Sequence, residues 1–380
     1  MHLTEDELYR SSTQFRHWSF TPATLAAIRH ATNAAAAERV RPHLPQDAAL
    51  LTPEDELRLV TIFCSRCVAL GQFLNEQPGH GFPFKVVATA VQYVRRFYLF
   101  NSLMIYDPKK IMPSCLFLAT KTEGWHTKAS DFAQKLPRTT ADDILAPEYL
   151  ISQALRFTFD VRHPHRGLDG GHMELMAMAK GAAPLLPGAS ATPQQVQDAM
   201  LQLPGPDGSA PPAEPSVTAL LNREGRSWDA ARRTLKSVAL TTDAYFFYTP
   251  AQIWLAALVM ADEPLARFYL DVKLPNDLLQ AAEHKDKLLA TVHACATMLH
   301  EGAAQEPDDE VRRLAKKRDA CADPEKADLV SLHAASKRGG AVDGVVDDGV
   351  AKRRKLERQQ SQREADAFWG PEIGKPESAA

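Results

Sequence analysis

The sequence is poor in cysteine, in long apolar runs and in excess positive charge. Five cysteines among 380 residues form an odd, sparse set, which favours buried thiols in a reducing compartment over a disulfide framework. No window approaches the roughly 18 apolar residues of a membrane span. The N-terminus lacks a basic segment followed by an apolar one, so we expect neither a secretory signal nor a membrane segment.

The charge balance and the missing motifs argue against two classes of function. A net charge of −3 gives no polycationic surface for duplex nucleic acid, so we expect no direct nucleic-acid binding. The sequence has no Walker-type phosphate loop, no GxGxxG that opens a helix, no GxSxG elbow and no HExxH motif. We therefore expect no catalytic residue, no cofactor and no metal in this chain.

Two groups of side chains could instead form a metal or redox site. Cys64 and Cys67 have the spacing of a metal knuckle or redox pair, but they lack a second pair and lie on an apolar helical stripe, which favours a core position. The other group consists of His163, His165, Asp169 and His172. It also fits a loop and a helix start between two domains, which we prefer because these ligands form no compact set.

Helical periodicity dominates and strand-like alternation is almost absent, so the predicted fold class is all-α. Proline follows a likely capping residue at Thr21-Pro22 and Thr52-Pro53, and Asp107-Pro108 opens a further helix. A helix is predicted at about 22–41, and a first group of five helices follows from 53, from 84, from 108, at 130–135 and at 142–158. A second group is predicted at about 164–181, 226–243, 249–261, 263–270 and 275–302.

These patterns divide the chain into an N-terminal segment and helix (1–51), two helical domains (52–160 and 161–303), and a C-terminal segment (304–380). The second domain contains a proline-rich stretch at about 182–223, predicted to be a mobile surface insertion. In the C-terminal segment we expect a helix at 308–321 and then a largely disordered tail.

The tail carries a short basic run of four residues: Lys352, Arg353, Arg354 and Lys355. Such a run is typical of a nuclear-import signal, of a weak nucleic-acid contact or of a solvated charged stretch. We favour the import signal, which predicts a nuclear protein.

The stretch 91–123 resembles the first box of the cyclin family. In that box a helix with Tyr-x-x-Arg-Phe-Tyr leads through Asn-Ser to a proline-started helix that ends in Leu-Ala-x-Lys-x-x-Glu. The matching residues here are Tyr93, Arg96, Phe97, Tyr98, Asn101, Ser102, Tyr106, Pro108, Met112, Cys115, Leu118, Ala119 and Lys121. Segments 11–20, 156–166 and 242–253 further resemble the cyclin H branch, in its fungal form.

The resemblance implies two consecutive five-helix cyclin boxes with extra helices at both ends. It implies a non-catalytic subunit that binds and activates the cyclin-dependent kinase of the CDK-activating complex within TFIIH. The other implied partners are the RING-finger assembly factor of that trimer and the TFIIH core, and the implied substrates are kinase activation loops and the RNA polymerase II C-terminal domain. The kinase supplies ATP, magnesium and the catalytic base.

The resemblance also implies which residues contact the kinase. Lys121 matches the lysine of the Leu-Ala-x-Lys motif, and Glu148 matches the family's glutamate nine residues before the final phenylalanine, Phe157. Thr122, Ile151 and Phe157 are expected to supply contacts around these two charges, whereas the better prediction for Leu155 is a core position.

The N-terminal segment with Arg16, His17 and Trp18 is expected to pack the N-terminal helix against the boxes. A direct kinase contact is the alternative for this segment. Two alternatives also remain for the whole chain: a transcription-associated cyclin with another kinase partner, and a TFIIB-like DNA-binding protein with cyclin boxes. Scattered basic pairs and the negative net charge disfavour the latter.

Overall fold

Helices begin where a capping residue precedes proline, as the sequence predicts. A computed structural model describes residues 5–76, 81–185, 191–211, 213–274, 281–303 and 306–338. The side chain of Thr21 accepts a hydrogen bond from the amide of Thr24, and that of Asp107 accepts one from the amide of Lys109. Within those ranges the regular elements are all helical, which confirms the all-α fold class.

The first group contains nine α-helices in the described residues. They are α1 (Glu5–Ser11), α2 (Thr13–Trp18), α3 (Pro22–Val40), α4 (Pro53–Glu76), α5 (Phe84–Phe100), α6 (Pro108–Thr122), α7 (Ala129–Ala133), α8 (Ala141–Leu145) and α9 (Glu148–Ala154), with a 3-10 turn at Arg41–His43. The prediction of a single helix at 142–158 is wrong, because α8 and α9 are separate helices. Pro147 lies between α8 and α9, where its missing N–H interrupts the helical hydrogen bonds.

The second group follows the joint at 155–164. It comprises α10 (His165–Ala179), α11 (Pro193–Leu201), α12 (Val217–Lys236), α13 (Val238–Thr241), α14 (Ala244–Phe247), α15 (Pro250–Ala261), α16 (Glu263–Lys273) and α17 (Ala281–Glu301). After it come α18 (Asp308–Ala320), a 3-10 turn (Pro324–Lys326) and α19 (Leu329–Arg338). The chain divides into two compact units, Met1–Leu329 and Val330–Ala380, and all contacts described below lie within the first.

The proline-rich stretch at 182–223 is more ordered than the sequence predicts. It contains α11, whose cap Thr192 exchanges reciprocal hydrogen bonds with Gln195. Val196 and Met200 on this helix are buried, and α12 begins at Val217. An internal capping box and an apolar stripe stabilise a helix between the prolines, and α12 begins before the predicted boundary near residue 223. The mobile surface insertion itself stays a prediction.

The C-terminal segment is also more ordered than expected. Helix α18 agrees with the prediction at 308–321, and its acidic start pairs with α4 through Arg58, which lies 2.6 Å from Glu306 and 2.7 Å from Glu310. Beyond it, the Asp323 carboxylate accepts a 2.7 Å hydrogen bond from Arg39 of α3. The expected disorder therefore does not begin directly after α18, and the basic run at 352–355 lies outside the described residues.

Helix α4 carries a stripe of apolar residues, and most of these residues are buried in the core. By length and composition alone it could cross a membrane, but it packs against α5, α6 and α18. Cys64 and Cys67 on its stripe are fully buried free thiols. Burial raises the pKa of Cys64 to about 11 and that of Cys67 further, so both stay protonated and the core interpretation is confirmed.

A buried ion cluster joins the two groups of helices. Arg95 of α5 donates to the carbonyl oxygen of Thr241 at 2.5 Å and also to the carboxylate of Asp243. Arg29 of α3 forms a bidentate pair with the same carboxylate, at 2.8 and 2.6 Å. Burial alone would raise the pKa of Asp243, but hydrogen bonds and charge from the two arginines hold it below its ordinary value.

A second polar connection at the joint depends on a neutral histidine. The Thr89 hydroxyl donates to Glu123 at 2.6 Å and lies 2.9 Å from His163 Nε2, so that nitrogen carries the hydrogen and donates to Thr89. His163 Nδ1 then accepts from the Tyr245 hydroxyl, 3.1 Å away. Burial keeps the pKa of His163 well below its ordinary value, and burial and nearby charges lower that of His165 to about 4.

We predict that Asp243→Ala lowers the free energy of unfolding by about 3 kcal/mol, because it leaves the buried Arg95 without a counter-charge. Urea denaturation measures the change. The control is Asp160→Ala, which removes a carboxylate from a half-exposed pair with Arg162 and should cost less than about 1 kcal/mol. Equal effects of the two substitutions would contradict the role of Asp243 as the counter-charge of the buried Arg95.

Stability should fall as the pH drops below about 6.5, where unfolded histidines take up protons while His163 and His165 stay neutral. The unfolded state then binds more protons, so the free energy of unfolding decreases toward about pH 4 by up to roughly 1.4 kcal/mol per pH unit for each histidine. Urea denaturation between pH 5 and 7 gives the slope. His165→Gln should reduce it, whereas His126→Gln, at an exposed position, should not; equal slopes would refute this account.

Candidate functional site

Lys121 and Glu148 lie side by side at the surface. The Lys121 ammonium is 2.7 Å from both carboxylate oxygens of Glu148. Lys121 lies in the last turn of α6 and Glu148 in the first turn of α9, so each charge also has a favourable helix-dipole position. Their side chains are 38% and 24% exposed, which leaves both polar groups accessible to a partner.

Large aromatic side chains are exposed beside this pair. Tyr149, directly after Glu148, is 60% exposed, and Phe157 is 59% exposed. Their ring centroids lie 6.5 Å apart. Trp125, 43% exposed, follows the end of α6, where its amide donates to the carbonyl oxygen of Thr120 at 2.7 Å. Exposed aromatic groups around a polar pair are characteristic of protein-binding surfaces.

A strained turn orients Phe157 toward solvent. Arg156 and Phe157 have φ values of 54° and 55°, a left-handed conformation that costs non-glycine residues on the order of 1–3 kcal/mol each. The turn closes α9, since the amide of Phe157 donates to the carbonyl oxygen of Ser152 at 2.9 Å. It leaves Leu155 fully buried, as predicted, and Phe157 exposed two residues later.

The structure corrects the set of predicted contact residues. Ile151 is fully buried, so its side chain has no surface to offer a partner and acts as a core residue beneath α9. Thr122 is exposed, with its hydroxyl 2.9 Å from that of Tyr93. Tyr149 and Trp125 were missed, because periodicity cannot distinguish an exposed aromatic residue from a core one on short helices and turns.

The N-terminal segment is held by Trp18 and Gln14. Trp18 is fully buried, its Nε1–H donates to the Thr158 hydroxyl at 2.8 Å, and the Arg96 guanidinium lies 4.8 Å from its ring centroid. Buried Gln14 accepts a hydrogen bond from the amide of Arg162 at 2.8 Å. The predicted anchoring by Arg16 is wrong.

Arg16 is exposed, because the inward face of α2 carries residues four apart. His17 is half-buried. Gln14 lies four residues before Trp18, so this spacing could have identified it. The full burial of Trp18 therefore agrees with the prediction that this segment packs against the boxes.

Comparison with known proteins identifies the family. The model described as "Cyclin, N-terminal domain" matches residues 80–160, and that described as "Cyclin C-terminal domain" matches residues 163–300. A chain in the structure of the CAK complex of Chaetomium thermophilum bound to ATP-gamma-S is 31% identical, with a TM-score of 0.72 over 92% of this chain and 99% of that one. The chain belongs to the cyclin family.

Other relatives of this cyclin support the resemblance to the cyclin H branch. Cyclin CCL1 of Saccharomyces cerevisiae is 31% identical over 72% of this chain and 63% of its own length. A putative cyclin-H of Dictyostelium discoideum is 33% identical over 43% of this chain and 54% of its own. A chain of the yeast TFIIK (Kin28/Ccl1/Tfb3) complex has a TM-score of 0.54, with 30% identity, over 77% of this chain and 100% of that one.

This cyclin therefore spans less than two thirds of the length of those two curated relatives.

The alternative metal group of this cyclin is not assembled. His163 bonds to Thr89 and Tyr245, whereas His172 Nδ1 lies 2.7 Å from the carboxylate of Glu224 on α12. Within the described ranges, one group of side chains lies close enough together to ligate a metal ion: His43, Asp323 and Glu325. Its buried carboxylate, Asp323, already pairs with Arg39, which accounts for that arrangement.

We predict that Trp18→Ala destabilises the protein by about 3–5 kcal/mol, the usual cost of emptying a buried aromatic site. Phe15→Ala, on the same helix but at an exposed position, should change the free energy of unfolding by less than about 1 kcal/mol. Thermal and urea denaturation compare the two.

Deletion of residues 1–20 should lower the melting temperature in the same way. Loss of partner binding without any loss of stability would instead make this segment a direct contact.

Proposed function

We propose that this cyclin is a cyclin H-like regulatory subunit that binds and activates a cyclin-dependent kinase. The observation that carries the proposal is the Lys121–Glu148 pair, 2.7 Å apart and flanked by exposed Tyr149 and Phe157. Lys121, Glu148 and Phe157 are residues for which the family resemblance implies kinase contacts, and Tyr149 lies directly beside them in the sequence. The paired charges fix register through charge-assisted hydrogen bonds, while the aromatic groups supply apolar area.

Activation by such a surface needs no catalytic residue in the cyclin. A cyclin that binds the active arrangement of a kinase more tightly than the inactive one shifts the population toward activity. In the active arrangement the kinase's own lysine–glutamate pair and metal-binding aspartate are aligned for phosphoryl transfer. The strained turn at Arg156 and Phe157 suits this role, because a preorganised contact spends little binding energy on ordering.

The proposed partners follow from the family and from the relatives' complexes. Relatives occur in a CAK complex and in the three-protein complex Kin28/Ccl1/Tfb3. We therefore propose a CDK-activating kinase as the first partner, a RING-finger assembly factor as the second and the TFIIH core as the wider assembly. Kinase activation loops and the RNA polymerase II C-terminal domain are the proposed substrates, and the proposed location is the nucleus.

We propose a division of the chain into cyclin boxes and extra terminal parts. Residues 52–160 would form the first cyclin box and 161–303 the second, with the segment 1–51 and the region from 304 onward as the extra terminal parts. The basic run at 352–355 is the proposed import signal, and this cyclin would act without nucleic acid or membrane as a direct ligand.

We predict that Lys121→Ala combined with Glu148→Ala abolishes kinase activation while the protein stays folded, because a half-exposed pair contributes less than about 1 kcal/mol to stability. Pull-down and kinase assays with the purified complex measure binding and activation, and circular dichroism measures folding.

The matched control is Lys273→Ala combined with Glu174→Ala. That pair is also 2.7 Å apart and has similar exposure, but it lies on α10 and α16. It should retain activation. Full activity of the Lys121/Glu148 variant would refute the assigned interface, and failure of the unaltered protein to bind any cyclin-dependent kinase would refute the function itself.

A further inference from the structure

Helices α10 and α12 pack side by side, and their shared surface carries two unpaired cations. Trp228, Arg232 and Lys236 lie four residues apart on α12, and therefore along one face. Arg232 is exposed, whereas Trp228 and Lys236 are half-buried. The facing residues of α10 include His165 and Asp169, which lie close enough to influence Lys236 and each other electrostatically.

Both cations are held over aromatic rings. The Arg232 guanidinium lies 5.0 Å from the ring centroid of Trp228, and the Lys236 ammonium lies 5.1 Å from that of Phe84. Cation–π contacts of this kind hold a charge at the surface without neutralising it.

The two rings are themselves fixed. The Trp228 indole stacks on His172 with 4.7 Å between ring centroids and donates from Nε1 to the Asp169 carboxylate at 3.3 Å. The Phe84 ring meets that of His165 edge-on at 5.7 Å. The positions of both cations are therefore set before any ligand arrives.

The charges of Arg232 and Lys236 repel each other. Among the described residues, neither Arg232 nor Lys236 forms an ion pair with a carboxylate. Burial and the nearby charge of Arg232 lower the pKa of Lys236. Burial lowers the pKa of His165, and the positive charge of Lys236 lowers it further, whereas the negative charge of Asp169 raises it. Like charges four residues apart destabilise a helix, and although the C-terminal end of α12 offsets part of that repulsion, a bound anion would offset more.

We propose that Arg232 and Lys236 bind the phosphate group of a phosphorylated serine or threonine in a protein segment. The guanidinium offers a planar fork for two phosphate oxygens, and the ammonium adds a point charge beside it. Helix α10 begins at His165 without a side-chain cap, so the positive end of its dipole adds to the same field.

A protein segment suits this surface better than nucleic acid does. The acidic residues Asp169 and Asp229 are exposed on the same two helices and would repel the next charges of a polyanion. Helix α10 also offers exposed apolar area, since Met173, which follows the Trp228-stacked His172 in the sequence, is 71% exposed. A single phosphate flanked by uncharged side chains satisfies both conditions.

Binding at this site is independent of the proposed kinase partner, but its use would rest on the proposed function. A kinase activator that holds one phosphorylated site of a substrate would keep the neighbouring, unmodified sites close to the kinase. Such retention raises the effective concentration of the second site without any new contact to the active centre.

Calorimetric titration of the full chain tests the site. The probe is the peptide Gly-Tyr-phosphoserine-Pro-Gly, compared with the unphosphorylated peptide, with inorganic phosphate and with a DNA oligonucleotide. We expect binding of the phosphopeptide alone, weakened by added salt. Arg232→Gln combined with Lys236→Gln should weaken it by about tenfold or more, since two charge-assisted contacts are lost.

The matched control is Arg226→Gln combined with Arg233→Gln. It removes the same charge from exposed positions of the same helix that do not lie on the Trp228 face. Equal weakening by the control would reduce the site to general electrostatics and overturn the proposal. Equal binding of the unphosphorylated peptide, of inorganic phosphate or of DNA would overturn it in favour of a peptide groove, a small-anion site or a nucleic-acid surface. Thermal denaturation verifies that both variants are folded.

Discussion

The carboxylate of Asp243 is the point on which the arrangement of the two helix groups depends. It receives guanidinium groups from α3 and α5, through Arg29 and Arg95, and it lies between α13 and α14 of the second group. Arg95 is almost fully buried, so without this counter-charge the cost of keeping a guanidinium out of water would favour separation of the helices. A single acidic side chain thus links three segments that are distant in sequence.

The same cluster extends to the proposed partner surface. Phe246, three residues after Asp243, lies 5.7 Å from the Arg95 guanidinium and accepts a backbone hydrogen bond from Phe20 at 2.9 Å. It belongs to a small apolar cluster with Trp18, whose indole binds Thr158 directly after the strained turn. The outward direction of Phe157 is therefore supported by contacts that run back to the joint, which explains how two left-handed residues persist there.

The sequence predicts the helices of this fold well where apolar periodicity and caps agree. The start of α6 at Asp107-Pro108 and the limits of α15 at Pro250–Ala261 follow from local signals. The break between α8 and α9 and the helix α11 were not predicted, because both depend on the position of single prolines and not on the proline content of a segment. The anchoring role of Gln14 and the exposure of Tyr149 depend on tertiary packing, which periodicity alone cannot give.

The two surfaces of this cyclin use charge in opposite ways. Lys121 and Glu148 are already paired, so a protein partner need not neutralise either charge, and the exposed aromatic groups beside them can supply apolar area with little desolvation cost. Arg232 and Lys236 lie over aromatic rings without a carboxylate, so their electrostatic energy is improved only by an anion. A preformed pair suits a constant protein partner, whereas unpaired cations suit a ligand whose charge is added by phosphorylation and therefore varies. Because one group of residues lies on α6 and α9 and the other on α10 and α12, both proposed ligands could act on the same molecule without competing for residues.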